Sequence, residues 1–506
     1  MPTRLRIVAL FALAGLLALP LADLTLAGHD PWAALARMGA GFLRPDFGAV
    51  DQIGRALAST VFFAIAGVAL GGAAGFVMAP FLHLRGVRGL AIALRSVHEL
   101  FWALLLLQVL GLGPLTGVMA IALPYAGIFA KVFAEQIEEV DPRPAQILPP
   151  RTGALSRFVF AQLPLAAGAM QSYTLYRLEC GLRSSAVLGF VGLPTLGFQL
   201  DSFFRMGDYG AASAILICYV ALIASLRLWM RRRLVPVWIA AAVVWLALIP
   251  TPPMGQGALW RFLSHDVIPA PLRDGWDAGA FVDWLGPLLM QQVLPGLWTT
   301  LLVAQIALVL TGLVALASFG LIVRRVTGRV GQALGHLGLV ILRSLPDYML
   351  AYLFLQIFGP SMLPAILALG LHNGAIIGHL LGREGEALVP RLRADAPRGT
   401  MLWLWELLPR LFGAFVALCL YRWEIILRET AVMGLLGVAT LGFYIDGAMS
   451  ELRLDRAVLL LLGAGALTVA VDAASRHLRA RTDGRARATG RGTAQALAQD
   501  VGLRRT

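Results

Sequence analysis

Two stretches of this chain, 245 residues apart, are copies of each other. One runs YRLECGLRSSAVLGFVGLPTLGF from Tyr176, the other YRWEIILRETAVMGLLGVATLGF from Tyr421, and 13 of the 23 columns are identical. Chance likeness between apolar helices matches Leu to Leu. It does not set Arg177 on Arg422, Glu179 on Glu424 and Arg183 on Arg428. The chain is a duplication, each half a module in its own right, so whatever one half folds into the other must fold into as well.

Composition sets the medium. Of 506 residues 58% are hydrophobic and 14% charged, with 54 Gly, and many apolar segments reach the roughly 20 residues that cross a hydrocarbon core of about 30 Å. The fold class expected is an all-α polytopic membrane protein whose helices approach closely at glycines. The formal charge of +13 does not point to nucleic acid, because the arginines cluster in short loops between spans, as cytoplasmic loops do. Lys131, the single lysine, sits between Ala130 and Val132 and forms no phosphate-binding GK[ST] motif. ATP-driven work would need another subunit. Cys180, Cys218 and Cys419 have no paired spacing, so neither a disulfide framework nor a zinc site follows. No HExxH, GxSxG or repeated His/Asp cluster suggests an enzyme, and no cofactor is expected.

Taken in order, basic MPTRLR precedes an apolar run from about 7 to 27. It reads as a retained first span, a cleaved signal peptide being the alternative because residues 24–28 end in small side chains. Residues 29–54 read as an external loop with an interfacial helix. Spans near 57–80, 91–110 and 115–133 follow, then a polar, proline-rich loop at 135–157, the duplicated stretch as fifth span, and a sixth near 211–229 that stops at Arg231-Arg232-Arg233. The second half repeats the plan with spans near 235–249, 297–323, 334–358 and 362–381, a polar loop at 382–398, the copied stretch, and a last span near 457–471. Between its first two spans lies an external segment with Trp260, Trp276 and Trp284. That makes about 12 spans in two tandem parallel repeats of about six, with both termini inside. The repeats share one orientation and are expected to be related by a pseudo-two-fold axis along the membrane normal. The modules are 1–233 and 234–480, and the Arg-, Gly- and Ala-rich tail at 481–506 is expected to be disordered and cytoplasmic.

Arg and Glu at membrane depth cost several kcal/mol unless they pair or face water. Glu179 and Arg183 lie four apart on one helical face, in the favourable order for an ion pair. Two readings stand: each trio is an internal salt bridge that fixes helix packing, or its members line and gate a route for an anion. Upstream, Arg95-Ser96-Val97-His98-Glu99 matches Arg343-Ser344-Leu345-Pro346-Asp347 at an offset of 248, with Ala103/Ala351 and Gln108/Gln356 in register. That spacing predicts Arg95 beside Glu99 and Arg343 beside Asp347 on one helical face, as a salt bridge near the cytoplasmic edge or as a gate. Pro346 suits a first helical turn. His372 and His379 are seven apart, but the first copy has Pro124 and Lys131 there, so they read as packed or interfacial residues rather than a metal pair.

These motifs resemble a known family. R-S-[VL]-x-[ED], the run GLGPLTGVMAIAL followed by KVFAEQIEEVD, and YRxExxxRxxAVxGxxG together are similar to the permease of bacterial phosphonate ABC importers, over about 90–190 and more loosely over about 338–445. The resemblance implies the type I importer permease fold in an inner membrane, with two modules fused in one chain. It implies cytoplasmic coupling loops at about 135–165 and 382–410 that dock on separate ATP-binding cassette ATPases, and an external substrate-binding protein that delivers the ligand. Gly153-Ala154 with Leu163-Pro164, and Gly399 with Leu408-Pro409, stand where the family's coupling pattern lies; its acidic-Ala-Ala part is replaced by Ile147-Leu148-Pro149 and Asp395-Ala396-Pro397. The expected ligand is a phosphonate or related phosphorus oxyanion. An importer permease for an unrelated small solute and an ion-gradient-driven secondary transporter are the rival readings.

Overall fold

The structure is a computed structural model that describes residues 3–26, 30–51, 53–149, 152–251, 257–273, 275, 277–393 and 395–482. Ala27 and Gly28 of the candidate cleavage region, Trp276, and the tail beyond Thr482 lie outside the described residues. Among the described residues all regular structure is helical. The principal helices are α1 (Thr3–Ala18), α2 (Pro31–Leu43), α3 (Ile53–Met78), α4 (Arg85–Ser96), α5 (Glu99–Leu110), α6 (Pro114–Glu138), α7 (Leu163–Val187), α8 (Leu196–Met206), α9 (Tyr209–Ala224) and α10 (Val235–Ala247). The second half continues with α11 (Leu294–Ser318), α12 (Arg324–Ser344), α13 (Asp347–Phe358), α14 (Met362–Leu388), α15 (Leu408–Val432), α16 (Leu441–Ser450) and α17 (Leu454–Thr482).

Among the described residues seven helices are long and apolar enough to cross a membrane, or up to ten if each of three bent pairs is one crossing. The twelve crossings expected from hydropathy also require α9 and α10, which have only 16 and 13 residues. Large apolar side chains such as Leu13, Leu70, Leu313 and Leu462 stand exposed along the long helices. Lipid, not water, is the solvent that suits such surfaces. The chain is a multi-pass helical membrane protein.

Among the described residues two compact units emerge: Phe47–Gln256 forms one, and the chain up to Asp46 joins that from Gly257 to the end of α17 to form the other. The first therefore takes in α10 of the second covalent module, and the second takes in α1 and α2 of the first. In the first unit α10 lies on α3, where Trp245 Nε1 donates to Ser59 Oγ at 3.3 Å and both Trp238 and Trp245 pack on Phe62. In the second α1 lies on α11, with Gln305 Nε2 donating to the carbonyl of Phe11 at 2.9 Å and Phe11 edge-on to Trp423. Gly15 meets Val309 so closely that a Cβ there would stand 2.5 Å from its Cγ2.

The central contacts of the units are α3 with α6 and α11 with α14. Small residues every four positions make the close approach, as lipid-embedded helices require in place of a hydrophobic driving force. In the first unit the glycines are on α3: a Cβ on Gly71 would come within 2.8 Å of the Ala122 carbonyl, and one on Gly75 within 2.8 Å of the Ala130 amide. In the second unit the stripe sits on the other helix, α14, where a Cβ on Gly374 would come 2.6 Å from Val314 Cβ.

The duplicated stretch ends in one turn built twice. Gly192 and Gly437 adopt φ of +96° and +90°, a region that costs other residues about 1–2 kcal/mol. Thr60 Oγ1 accepts from the Leu196 amide at 3.0 Å, and Thr300 Oγ1 from Leu441 at 3.1 Å. Thr195 and Thr440 hydroxyls return to the carbonyls of Ala186 and Ala431 at 3.4 and 3.2 Å. Much of the identity between the copies serves this turn.

Candidate functional site

The paired motifs at 95–99 and 343–347 do not lie on one helix. The chain breaks between α4 and α5 by 95° and between α12 and α13 by 94°. Val97 and Leu345 are extended, at φ/ψ of −99°/134° and −69°/130°, as the residue before a proline must be at Leu345. The two charges of each motif therefore do not share one helical face. Arg95 and Arg343 sit in the last turn of one helix, and Glu99 and Asp347 in the first turn of the next. Each charge faces the helix end whose dipole favours it, which is the physical reason for the spacing. His98 caps α5, its Nδ1 accepting from the Leu100 amide at 3.2 Å.

From that break, Glu99 reaches α7. Ser184 Oγ donates to Glu99 Oε1 at 2.6 Å and lies 3.3 Å from the Tyr125 hydroxyl of α6, while His98 Nε2 stands 3.7 Å from the other carboxylate oxygen. Two turns away, Arg177 Nε donates to the Tyr173 hydroxyl at 2.8 Å, and its guanidinium lies 5.7, 5.3 and 5.7 Å from the ring centroids of Tyr125, Tyr173 and Tyr176. Arg183 shares the face of Glu179, and its Nη2 is 3.3 Å from Cys180 Sγ.

The second copy places a polar node at the same register. Asn373 stands where Tyr125 stands and Glu429 where Ser184 stands. Buried Arg422 donates through Nη1 to Asn373 Oδ1 at 3.1 Å, and Asn373 Nδ2 donates to Glu429 Oε2 at 3.1 Å and to the Leu369 carbonyl. Glu424 and Arg428 lie on the same helix, α15. Arg343 contacts His379, with 3.5 Å between Nη1 and Nδ1, and His372 Nδ1 is 3.3 Å from the Leu342 carbonyl. Sequence reasoning singled out the arginines and missed Tyr125, Tyr173, Ser184, Asn373 and Glu429. Most of these columns differ between the copies, and a search keyed on identity passes over them.

The two coupling-loop candidates share a construction. Leu163-Pro164 and Leu408-Pro409 open α7 and α15, each straight after a π-helical turn, at 158–162 and 402–407. A proline there lacks the N–H for the usual bond, so the turn widens by one residue. Gly153 and Gly399 each accept through their carbonyls from an amide four residues on, of Arg157 and Trp403, and Ala154 starts the short helix 154–157. Gly399 sits at φ +65° and its amide donates to the Arg325 carbonyl, while Arg325 reaches the Ala396 carbonyl. In the first loop Arg143 Nε and backbone N–H both donate to Asp141, holding that carboxyl below its ordinary range. Phe160 and Trp405, 245 positions apart, stand 78% and 74% exposed on the two π turns.

Among known proteins, the chain is 25% identical over 462 residues to the phosphate-import permease protein PhnE of Mycolicibacterium smegmatis, covering 86% of this chain and 85% of that one. It is 32% identical over 201 residues to the phosphite transport system permease protein PtxC of Stutzerimonas stutzeri, covering 38% of this chain and 73% of the relative. The chain belongs to the phosphonate and phosphite ABC transport permeases. A third member of this permease family, the putative phosphite transport system permease protein HtxE of Stutzerimonas stutzeri, is 35% identical over 152 residues, 29% of this chain and 58% of that protein. No protein-family profile matches the chain, and no solved structure does. Permeases of this family are transport subunits rather than enzymes.

Proposed function

We propose that this chain forms the membrane passage of an ATP-driven importer for a small phosphorus oxyanion, with both permease modules, 1–233 and 234–480, in one polypeptide. The observation that carries the reading is the pair of equivalent polar nodes, one in each unit, that set Arg177 and Arg422 among hydrogen-bonding side chains at the same register. Arg suits an oxyanion because its planar fork matches two oxygens at once. In this reading separate ATPases close on ATP and draw the loops at 135–165 and 382–410 together. The two modules then alternate between inward- and outward-open states in an inner membrane, with both termini cytoplasmic. Exposed Phe160 and Trp405 are the apolar anchors of that docking, and an external binding protein delivers the ligand. Arg177, Arg183, Arg422 and Arg428 bias the passage electrostatically, while Arg95, Glu99, Arg343 and Asp347 hold the helix breaks beside it.

Uptake into proteoliposomes tests this, with the chain reconstituted alone or with the ATPase and binding protein encoded beside it. The expected result is ATP-dependent accumulation of phosphite, methylphosphonate or phosphate that needs both partners. Uptake by the chain alone, driven by a proton or sodium gradient, would make it a secondary transporter. Partner-dependent uptake of some other solute in their place would keep the importer and remove the oxyanion.

A further inference from the structure

The two copies hold their equivalent arginines in different company. The charge of buried Arg422 is tied through the Asn373 amide to the carboxylate of Glu429, with 3.1 Å at each link. Arg177 is half-buried, and its electrostatic neighbours are the phenols of Tyr173, Tyr176 and Tyr125 and the thiol of Cys180. Among the described residues no carboxylate forms an ion pair with Arg177. The nearby acid is engaged elsewhere, since Glu99 accepts from Ser184 and faces His98. Aromatic faces attract a guanidinium but leave its net charge in place. Of its five N–H donors, Nε–H is used on Tyr173. A half-buried cation without a carboxylate partner, ringed by phenols that also hydrogen-bond, is complementary to a mobile oxyanion. A cation already joined to a carboxylate is not.

We propose that Arg177, with Tyr125, Tyr173 and Tyr176, is the oxyanion-contacting site of the passage, while Arg422 is a strut that fixes α15 against α14. This rests on the importer reading and deepens it: the passage is asymmetric, and the first module carries ligand recognition. The ligand class is a small tetrahedral oxyanion such as phosphite, phosphate or an alkylphosphonate.

The test uses the full chain with its ATPase and binding protein in proteoliposomes, phosphite being the probe. Arg177→Gln is expected to lower the uptake rate at least tenfold, and Arg177→Lys to recover part of it. The triple variant Glu99→Asp, Tyr125→Asn, Ser184→Glu installs the second copy's residues in the first and gives Arg177 a carboxylate of its own. It is expected to fold and to lose uptake. Hydrogen exchange on the unmutated chain needs no variant: saturating phosphite should protect the segment 173–184 and leave 418–429 unchanged. Arg177→Gln or the triple variant transporting at the unmodified rate, or protection confined to 418–429, overturns the assignment. Absence of ATP-dependent oxyanion uptake by the unmodified protein overturns the importer reading instead.

Discussion

Asn373 joins two charged side chains through one fully buried amide, its oxygen accepting from Arg422 and its nitrogen donating to Glu429. Removing the bridge takes from buried Arg422 its Asn373 acceptor and from half-buried Glu429 one donor, and a buried charged group left short of a partner costs upward of about 3 kcal/mol. Asn373→Leu is therefore expected to destabilise the chain by at least about 3 kcal/mol, seen as early thermal unfolding in detergent; a change under about 1 kcal/mol would mean the amide carries no such load. Gly437→Ala forces a Cβ into the φ +90° turn, for an expected loss of about 1–2 kcal/mol. Ala at Gly447, where nothing lies within 4 Å of the new methyl, is the matched control and should be silent. At this scale the duplicated arginines were legible in the sequence because identity marks them. Tyr125, Ser184, Asn373 and Glu429 were not, because a hydrogen-bond network can be rebuilt with different residues while its register persists.

For the helices, hydropathy showed apolar segments near 91–110 and 334–358 but not the sharp breaks inside them. A spacing of four suits both a continuous helical face and a helix end followed by a helix start, and only the backbone distinguishes them. The break was signalled at Pro346, whose predecessor is driven from the helical region. The duplication would have carried that signal to Val97-His98, where no proline marks it. The coupling-loop candidates were found through their Leu-Pro pairs, but not the π turns those prolines produce nor the exposed ring each turn carries. Buried aromatic anchors carry a large share of interface energy. Phe160→Ser and Trp405→Ser are each expected to reduce ATPase stimulation by the permease about tenfold with the fold intact, measured as phosphate release from the reconstituted complex. Full stimulation in both variants would remove these rings from the docking surface.

Across the whole molecule, covalent modules and packed units differ, α10 packing with the first half and α1 and α2 with the second. Apolar helices announce that they will be buried in lipid or protein, but not against which neighbour, so the exchange of α1 and α10 was not readable from hydropathy. It has a mechanical consequence. Deleting residues 1–22 should loosen the unit containing α11–α17, where Ile7 joins the core around Phe319, Leu411 and Phe415, and spare the unit formed by Phe47–Gln256. Hydrogen exchange compared between α11 and α3 would read the difference; equal loosening would contradict the packing. The duplication makes a sharper demand, because one polypeptide here supplies what paired single-module permeases would supply together. The decisive measurement is the mass of the detergent-solubilised complex assembled with its ATPase. One copy of this chain carrying two ATPase subunits is the predicted result. Two copies of the chain for two ATPases, or a chain that binds none, would contradict it.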